Sequence, residues 1–302
     1  MKALIFYATY GGGHLSAAMA IKEAIINEHP ETEVEMIDCM EYINKVINKL
    51  TTKAYSGMAK KAPWVWGKVY THSNRGIMSG LTKNSNRIFA LKLKNLIRKI
   101  KPDIIISTHP FATQMCAFLK KHKKINIKIA NILTDFEIHE QWLVKHEYID
   151  YFFISNEHMK EELINHGINE EKIFVTGIPI SQKFSKKYNK EETLKEFGLK
   201  ESKKTVLFFA GGKYGLAKKN VYDFIEILAR DIKNVQVVAI SGKNEKIFNK
   251  FKEIVEKYKA QEKIKVIEFT EKVAPLMSIS DLVITKPRRN NKFWKFSNAE
   301  YQ

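Results

Sequence analysis

Short apolar runs alternate along this chain with longer segments whose apolar residues recur at helical spacing, a pattern that predicts βαβ units around a parallel sheet. Strands are predicted at Ala3–Ala8, Val34–Asp38, Ile104–Ser107, Lys128–Leu133, Tyr151–Ile154 and Ile173–Thr176, forming one sheet. A Gly177-Ile178-Pro179 turn follows, and the polar, lysine-rich stretch 181–204 reads as a linker with one short helix around Glu191–Phe197. Further strands are predicted at Thr205–Ala210, Val235–Ile240, Ile264–Glu268 and Leu282–Thr285, with helical segments near Ala217–Ile232 and Glu245–Lys257. The expected fold class is α/β, with Rossmann-like domains over 1–180 and 205–302 facing each other across a cleft. In open sheets of this kind ligands sit beyond the carboxyl ends of the strands, so the residues just after each strand are the ones to inspect.

The length of 302 residues suits two such domains, and 44% hydrophobic with 28% charged residues is ordinary globular composition. The opening apolar run Ala3–Ala8 is shorter than a signal-peptide core, and no run approaches the ~20 residues of a membrane span. Cys39 and Cys116 are too few for a disulfide framework and read as small buried apolar residues in a reducing cytoplasm.

Charge changes the picture. Lysine and arginine number 51 against 33 acidic residues, a net +18, which predicts attraction to a polyanion or an anionic membrane. Residues 42–102 alone hold 14 Lys or Arg and no Asp or Glu. Lys60, Lys61, Lys68 and Arg75 lie there among Trp64, Trp66, Tyr55 and Tyr70. Cations interleaved with Trp and Tyr are what a membrane interface selects, because the rings sit at headgroup level. Two other readings stand beside it: a solvated basic helical face over a core of aromatics, and a nucleic-acid surface. No nucleic-acid motif accompanies the charge, so a nucleic-acid partner is not expected.

Two glycine-rich turns follow strands. Gly11-Gly12-Gly13-His14 leads into a helix over Leu15–Asn27, without the ending of a Walker motif or dinucleotide spacing. Its histidine stands at a helix start, where the dipole favours the neutral form that a general base needs. A cap or packing role is the plainer alternative. Gly211-Gly212-Lys213-Tyr214-Gly215 follows the strand at Thr205–Ala210 and suits a diphosphate, although it also reads as a simple structural turn. Ser107-Thr108-His109 and Thr134-Asp135 are further clusters after strands. His139 and His146 are not backed by a carboxylate at ligand spacing, so catalysis without metal is expected.

The combination resembles the processive diacylglycerol glycosyltransferases and monogalactosyldiacylglycerol synthases of glycosyltransferase family 28. It is carried by Gly11-Gly12-Gly13-His14, Ser107-Thr108-His109-Pro110, Thr134-Asp135-Phe136 through His139 and Trp142, Thr176-Gly177-Ile178-Pro179, Gly211-Gly212 with Gly215, and Met277-Ser278-Ile279-Ser280-Asp281, in family order from residue 1 to about Pro287. The resemblance implies a GT-B-like fold and inverting, metal-independent transfer from UDP-glucose or UDP-galactose to diacylglycerol or a glycosyl-diacylglycerol. The implied setting is peripheral, at the cytoplasmic face of the membrane, with no cofactor beyond the donor. It assigns catalysis to His14 and the acceptor side to Gly11, Gly12, Gly13, His109 and Asp135. The donor side falls to Gly211, Gly212, Tyr214, Gly215, Phe269, Thr270 and Val273, and membrane contact to the basic and tryptophan residues named above.

One departure stands out. Where the family continues from Pro287 into Gly-Gly and further β–α units, this sequence has Arg288-Arg289-Asn290-Asn291 and stops at Gln302. The second domain is therefore expected to be incomplete, and a truncated, inactive membrane-binding remnant is the alternative to an active transferase.

Overall fold

The computed structural model describes residues 1–9, 12–43, 90–210 and 218–285. Gly11, Trp64, Trp66, Lys60, Lys61, Lys68, Arg75, Gly211, Gly212, Tyr214, Gly215 and the stretch from Pro287 to Gln302 lie outside the described residues. The chain divides into two units, Met1–Gln182 and Lys183–Gln302.

The first unit is built on six parallel strands in the order β2-β1-β3-β4-β5-β6. They are β1 (Lys2–Tyr7), β2 (Glu33–Asp38), β3 (Ile104–Ser107), β4 (Lys128–Ile132), β5 (Tyr151–Ile154) and β6 (Ile173–Val175). A parallel sheet has its connecting helices on both faces, so its central strands are apolar throughout rather than alternating. Ala3, Leu4, Ile5 and Phe6 of β1 are all fully buried. Leu4 and Phe6 face a core with Ile105, Ile129 and helix Pro110–Lys121, while Ile5 faces Ile106, Ala130 and Ala18 of helix Gly13–Glu28. That first helix starts two residues before the expected Leu15 because Gly12, at φ 87°, takes the left-handed conformation that turns the chain into it. Both cysteines are free and buried, and burial pushes the Cys39 thiol well above its ordinary value and that of Cys116 up to about 12.

Of the basic stretch 42–102, residues 42–43 and 90–102 are described, and 90–100 are helical. Ala90, Leu93, Ile97 and Ile100 are buried at helical spacing, while Lys92, Arg98 and Lys99 are exposed. These cations lie on the exposed side of an amphipathic helix whose other side packs into the core.

The second unit holds four parallel strands in the order β10-β7-β8-β9, namely β7 (Lys204–Phe209), β8 (Val235–Ile240), β9 (Ile264–Ile267) and β10 (Leu282–Ile284). Phe208, Val237 and Ala239 face helices Lys218–Asp231 and Glu245–Lys257 through Val221, Ile225, Phe251 and Ile254. Leu207, Val238 and Ile240 face the opposite side, packed with Leu276, Ile279, Leu194 and Leu199.

The last two residues correct the sequence reading of 181–204 as a linker. Leu194, on helix Lys190–Glu196, and Leu199, just after it, pack against one face of the second sheet together with Leu276 and Ile279, the apolar cover that a parallel sheet needs. Gln236, inside β8, fixes the following turn: its Nε2 donates to the Lys200 carbonyl at 2.8 Å and its Oε1 accepts from the Lys200 N–H at 2.8 Å. Leu194→Ala is expected to lower the stability of the second unit by about 2–4 kcal/mol, the cost of a buried cavity. Urea unfolding followed by circular dichroism measures it, and an unchanged midpoint would return the stretch to a linker.

Candidate functional site

In the first unit β1 pairs with both β2 and β3, so the chain leaves β1 toward β2 and leaves β3 toward β4, in opposite directions. The loops after β1 and β3 therefore diverge, and a crevice opens at their carboxyl ends. His14 enters it after β1, Thr108 and His109 after β3, and Thr134 and Asp135 after β4.

Helix Gly13–Glu28 begins from glycine with no side-chain cap, so its first turn is held from elsewhere. Thr108, fully buried, does this: its Oγ1 donates to the His14 carbonyl at 2.9 Å. The His14 imidazole is tied as well, with Nδ1 2.5 Å from the Thr108 carbonyl oxygen and 2.9 Å from Thr134 Oγ1. His109 meets this ring edge to face, with centroids 4.6 Å apart.

His109 caps helix Pro110–Lys121, its Nδ1 accepting from the Phe111 N–H at 3.3 Å. Proline at the first helical position costs no hydrogen bond there. Burial pushes the His109 pKa well below 6.5, His14 and His139 push the same way, and Asp135 opposes them. A neutral His109 is the result.

Asp135 is held at one oxygen, Oδ2, by Trp142 Nε1–H at 3.2 Å and by His139 Nε2 at 3.6 Å. Burial favours its protonated form, but the bonds from His139 and Trp142 and the charges of His139 and His14 outweigh it and hold the carboxyl below its ordinary value. His139 is thus backed by a carboxylate four residues earlier, contrary to the sequence reading, because the turn between them brings the side chains together. Ser155 Oγ donates to the Asp135 carbonyl at 3.0 Å, and Asn156 Nδ2 to that of Phe136 at 3.2 Å. Gln114, buried in helix Pro110–Lys121, donates to the Gln141 carbonyl at 2.7 Å. Among the described residues no group of three or more His, Cys, Asp or Glu side chains is arranged to hold a metal ion.

Of the residues expected on the donor side, three are described, all just after β9. Phe269 is exposed, with Lys243 Nζ, from the loop after β8, 4.6 Å from its ring centroid. Thr270 Oγ1 accepts from the Lys272 N–H at 3.0 Å, and Val273 opens helix Val273–Ser278. The structure thus brings His14, His109 and Asp135 into one cluster, with Gly12 and Gly13 forming the turn that leads His14 in. Sequence reasoning gave no role to Thr108, Thr134, His139, Trp142, Gln114 or Lys243. Position directly after a strand was the available signal for the two threonines.

Comparisons with known proteins bear on this cluster. A profile of the Monogalactosyldiacylglycerol (MGDG) synthase family matches residues 14–180, and one for UDP-N-acetylglucosamine 2-epimerase matches residues 146–286. The sequence is 30% identical over 292 residues to a processive diacylglycerol beta-glucosyltransferase of Bacillus mycoides, covering 95% of this chain and 71% of that protein. Among solved structures, UDP-GlcNAc 2-epimerase from Neisseria meningitidis, bound to UDP-GlcNAc, is similar with a TM-score of 0.55 at 15% identity, over 94% of this chain and 76% of that one. A lipopolysaccharide outer core galactosyltransferase gives 0.50 at 15% identity, over 94% and 73%. These likenesses establish a GT-B-like fold of two parallel-sheet α/β units.

The depressed His109 pKa has a thermodynamic signature. Above pH 6.5 the ring is neutral in both folded and unfolded chains. Below that value the unfolded chain takes up a proton that the fold refuses, so stability falls with pH until the folded-state pKa is reached. Urea midpoints measured from pH 7 to about 5 are expected to decline less steeply in His109→Gln than in the parent. Parallel slopes would show that His109 titrates normally.

Proposed function

The chain belongs to the monogalactosyldiacylglycerol synthase family, and we propose on that premise that it moves a hexose from UDP-glucose or UDP-galactose onto diacylglycerol or a glycosyl-diacylglycerol, with inversion. Membership supports glycolipid glycosyl transfer in general, and the donor, acceptor and stereochemistry are the finer reading. The observation that carries it is the His14 imidazole tethered at the switch point, beside His109 and Asp135.

An alcohol is a poor nucleophile at neutral pH, so its proton must leave as the new bond forms. In this reading His14 accepts that proton while the acceptor oxygen bonds to the anomeric carbon and UDP departs with the former bonding pair. His109, kept uncharged by burial, lies against the ring without opposing the positive charge that His14 acquires. Asp135 supplies a nearby negative charge that favours it. On the donor side, in this reading, backbone N–H groups of Gly211, Gly212 and Gly215 stabilise the departing diphosphate, and Tyr214, Phe269, Thr270 and Val273 contact the donor.

The acceptor is a lipid, and among the described residues no helix is long and apolar enough to cross a membrane. We assign docking on anionic phospholipid, from the cytoplasmic side, to the basic segment with Trp64 and Trp66. Each cation near such a surface contributes about 1 kcal/mol, and salt weakens the attraction.

His14→Ala is expected to cut turnover with UDP-sugar and diacylglycerol by roughly 10²–10⁴-fold while leaving donor binding intact. Normal turnover in that variant would move the base to His109 or Asp135. Replacing Trp64, Trp66, Lys60, Lys61, Lys68 and Arg75 together is expected to release the protein from anionic vesicles in flotation. Equal binding of the parent to neutral and anionic vesicles would refute the electrostatic docking.

A further inference from the structure

We propose that Thr134 is a positioning residue for the transfer: together with the Thr108 carbonyl, its hydroxyl fixes His14 in the tautomer that carries a proton on Nδ1 and the lone pair on Nε2. The inference rests on the reading of His14 as the base and specifies which of its two nitrogens acts.

A carbonyl oxygen can only accept, and it lies 2.5 Å from Nδ1. A proton must stand between them, since two lone pairs at that distance repel. Thr134 Oγ1, 2.9 Å from the same nitrogen, is then the second acceptor of a shared N–H. The Thr108 hydroxyl does not compete, because it donates to the His14 carbonyl. Both threonines are buried, so water does not replace either contact. They reach one nitrogen because β3 and β4 are adjacent, with Ser107 paired to Asn131 and each threonine following its strand.

This arrangement acts on the rate. When Nε2 takes the acceptor proton the ring becomes a cation, and the Nδ1–H contacts to Thr108 and Thr134 become charge-assisted. They are stronger in the transition state than before it, which raises kcat without tightening substrate binding. The other titratable groups grouped with the ring are His109, His139 and Asp135.

The test uses the full chain with ¹⁵N-labelled histidine, the His14 ring signals being assigned by their loss in His14→Ala. The parent and Thr134→Ser are expected to show the Nδ1–H form alone. Thr134→Val, which keeps the shape and removes the hydroxyl, is expected to keep that form, held by the Thr108 carbonyl, and to shift the Nδ1–H signal because one of its two acceptors is gone. Its kcat is expected to fall about tenfold with the donor KM unchanged, and Thr134→Ser to restore it. An Nε2–H ring in the parent, a Thr134→Val spectrum identical to the parent, or an undiminished kcat would overturn the proposal. Full turnover by His14→Ala would instead refute the base reading, whatever tautomer the spectra report.

Discussion

The first unit depends on β1 having a parallel neighbour on each side. A strand placed there has both faces covered by helices and both edges hydrogen-bonded, so it contributes only apolar residues from Ala3 to Phe6. All its chemistry is displaced to the loop at its carboxyl end. Because the chain departs from β1 and β3 in opposite directions, that loop is also where a side chain has room beside others from distant parts of the sequence. His14 and Thr108 are 94 residues apart and His14 and Thr134 are 120 apart, yet all three meet at one nitrogen.

The same crowding sets the charges. Three imidazoles and one carboxylate share a partly buried cluster, where unpaired charge is expensive. Burial resolves the conflict by keeping His109 neutral, while Asp135 stays ionised because His139 and Trp142 bond to it. One ring is thereby removed from the positive side of the balance, and one negative charge is retained within range of His14. The threonines add polarity without charge.

Much of the fold was legible in the residues. Among the described residues the ten strands fall where short apolar runs predicted them. The stretch 181–204 was misread since its lysines dominate its composition, and composition hides the three apolar positions that pack, Leu194, Phe197 and Leu199. His14, His109 and Asp135 were found through their places after strands. What could not be read was which of them touch: the Asp135 contact to His139 arises from the turn between them, and the Trp142 contact from a short helix. The roles of Thr108 and Thr134 depend on hydrogen-bond geometry that no spacing encodes.

The buried cysteines give the first unit a built-in clock. Cys39, just past β2, and Cys116, on helix Pro110–Lys121, belong to the same core, and in the closed fold their thiols are both inaccessible and far from ionised. An alkylating reagent needs the thiolate, so it reacts only with molecules that have opened. Labelling rate then reports how often this core opens, and comparison of the two sites separates fraying beside β2 from loss of the whole unit. The second unit has no cysteine and is silent in such a measurement, which leaves the breathing of the first readable by itself.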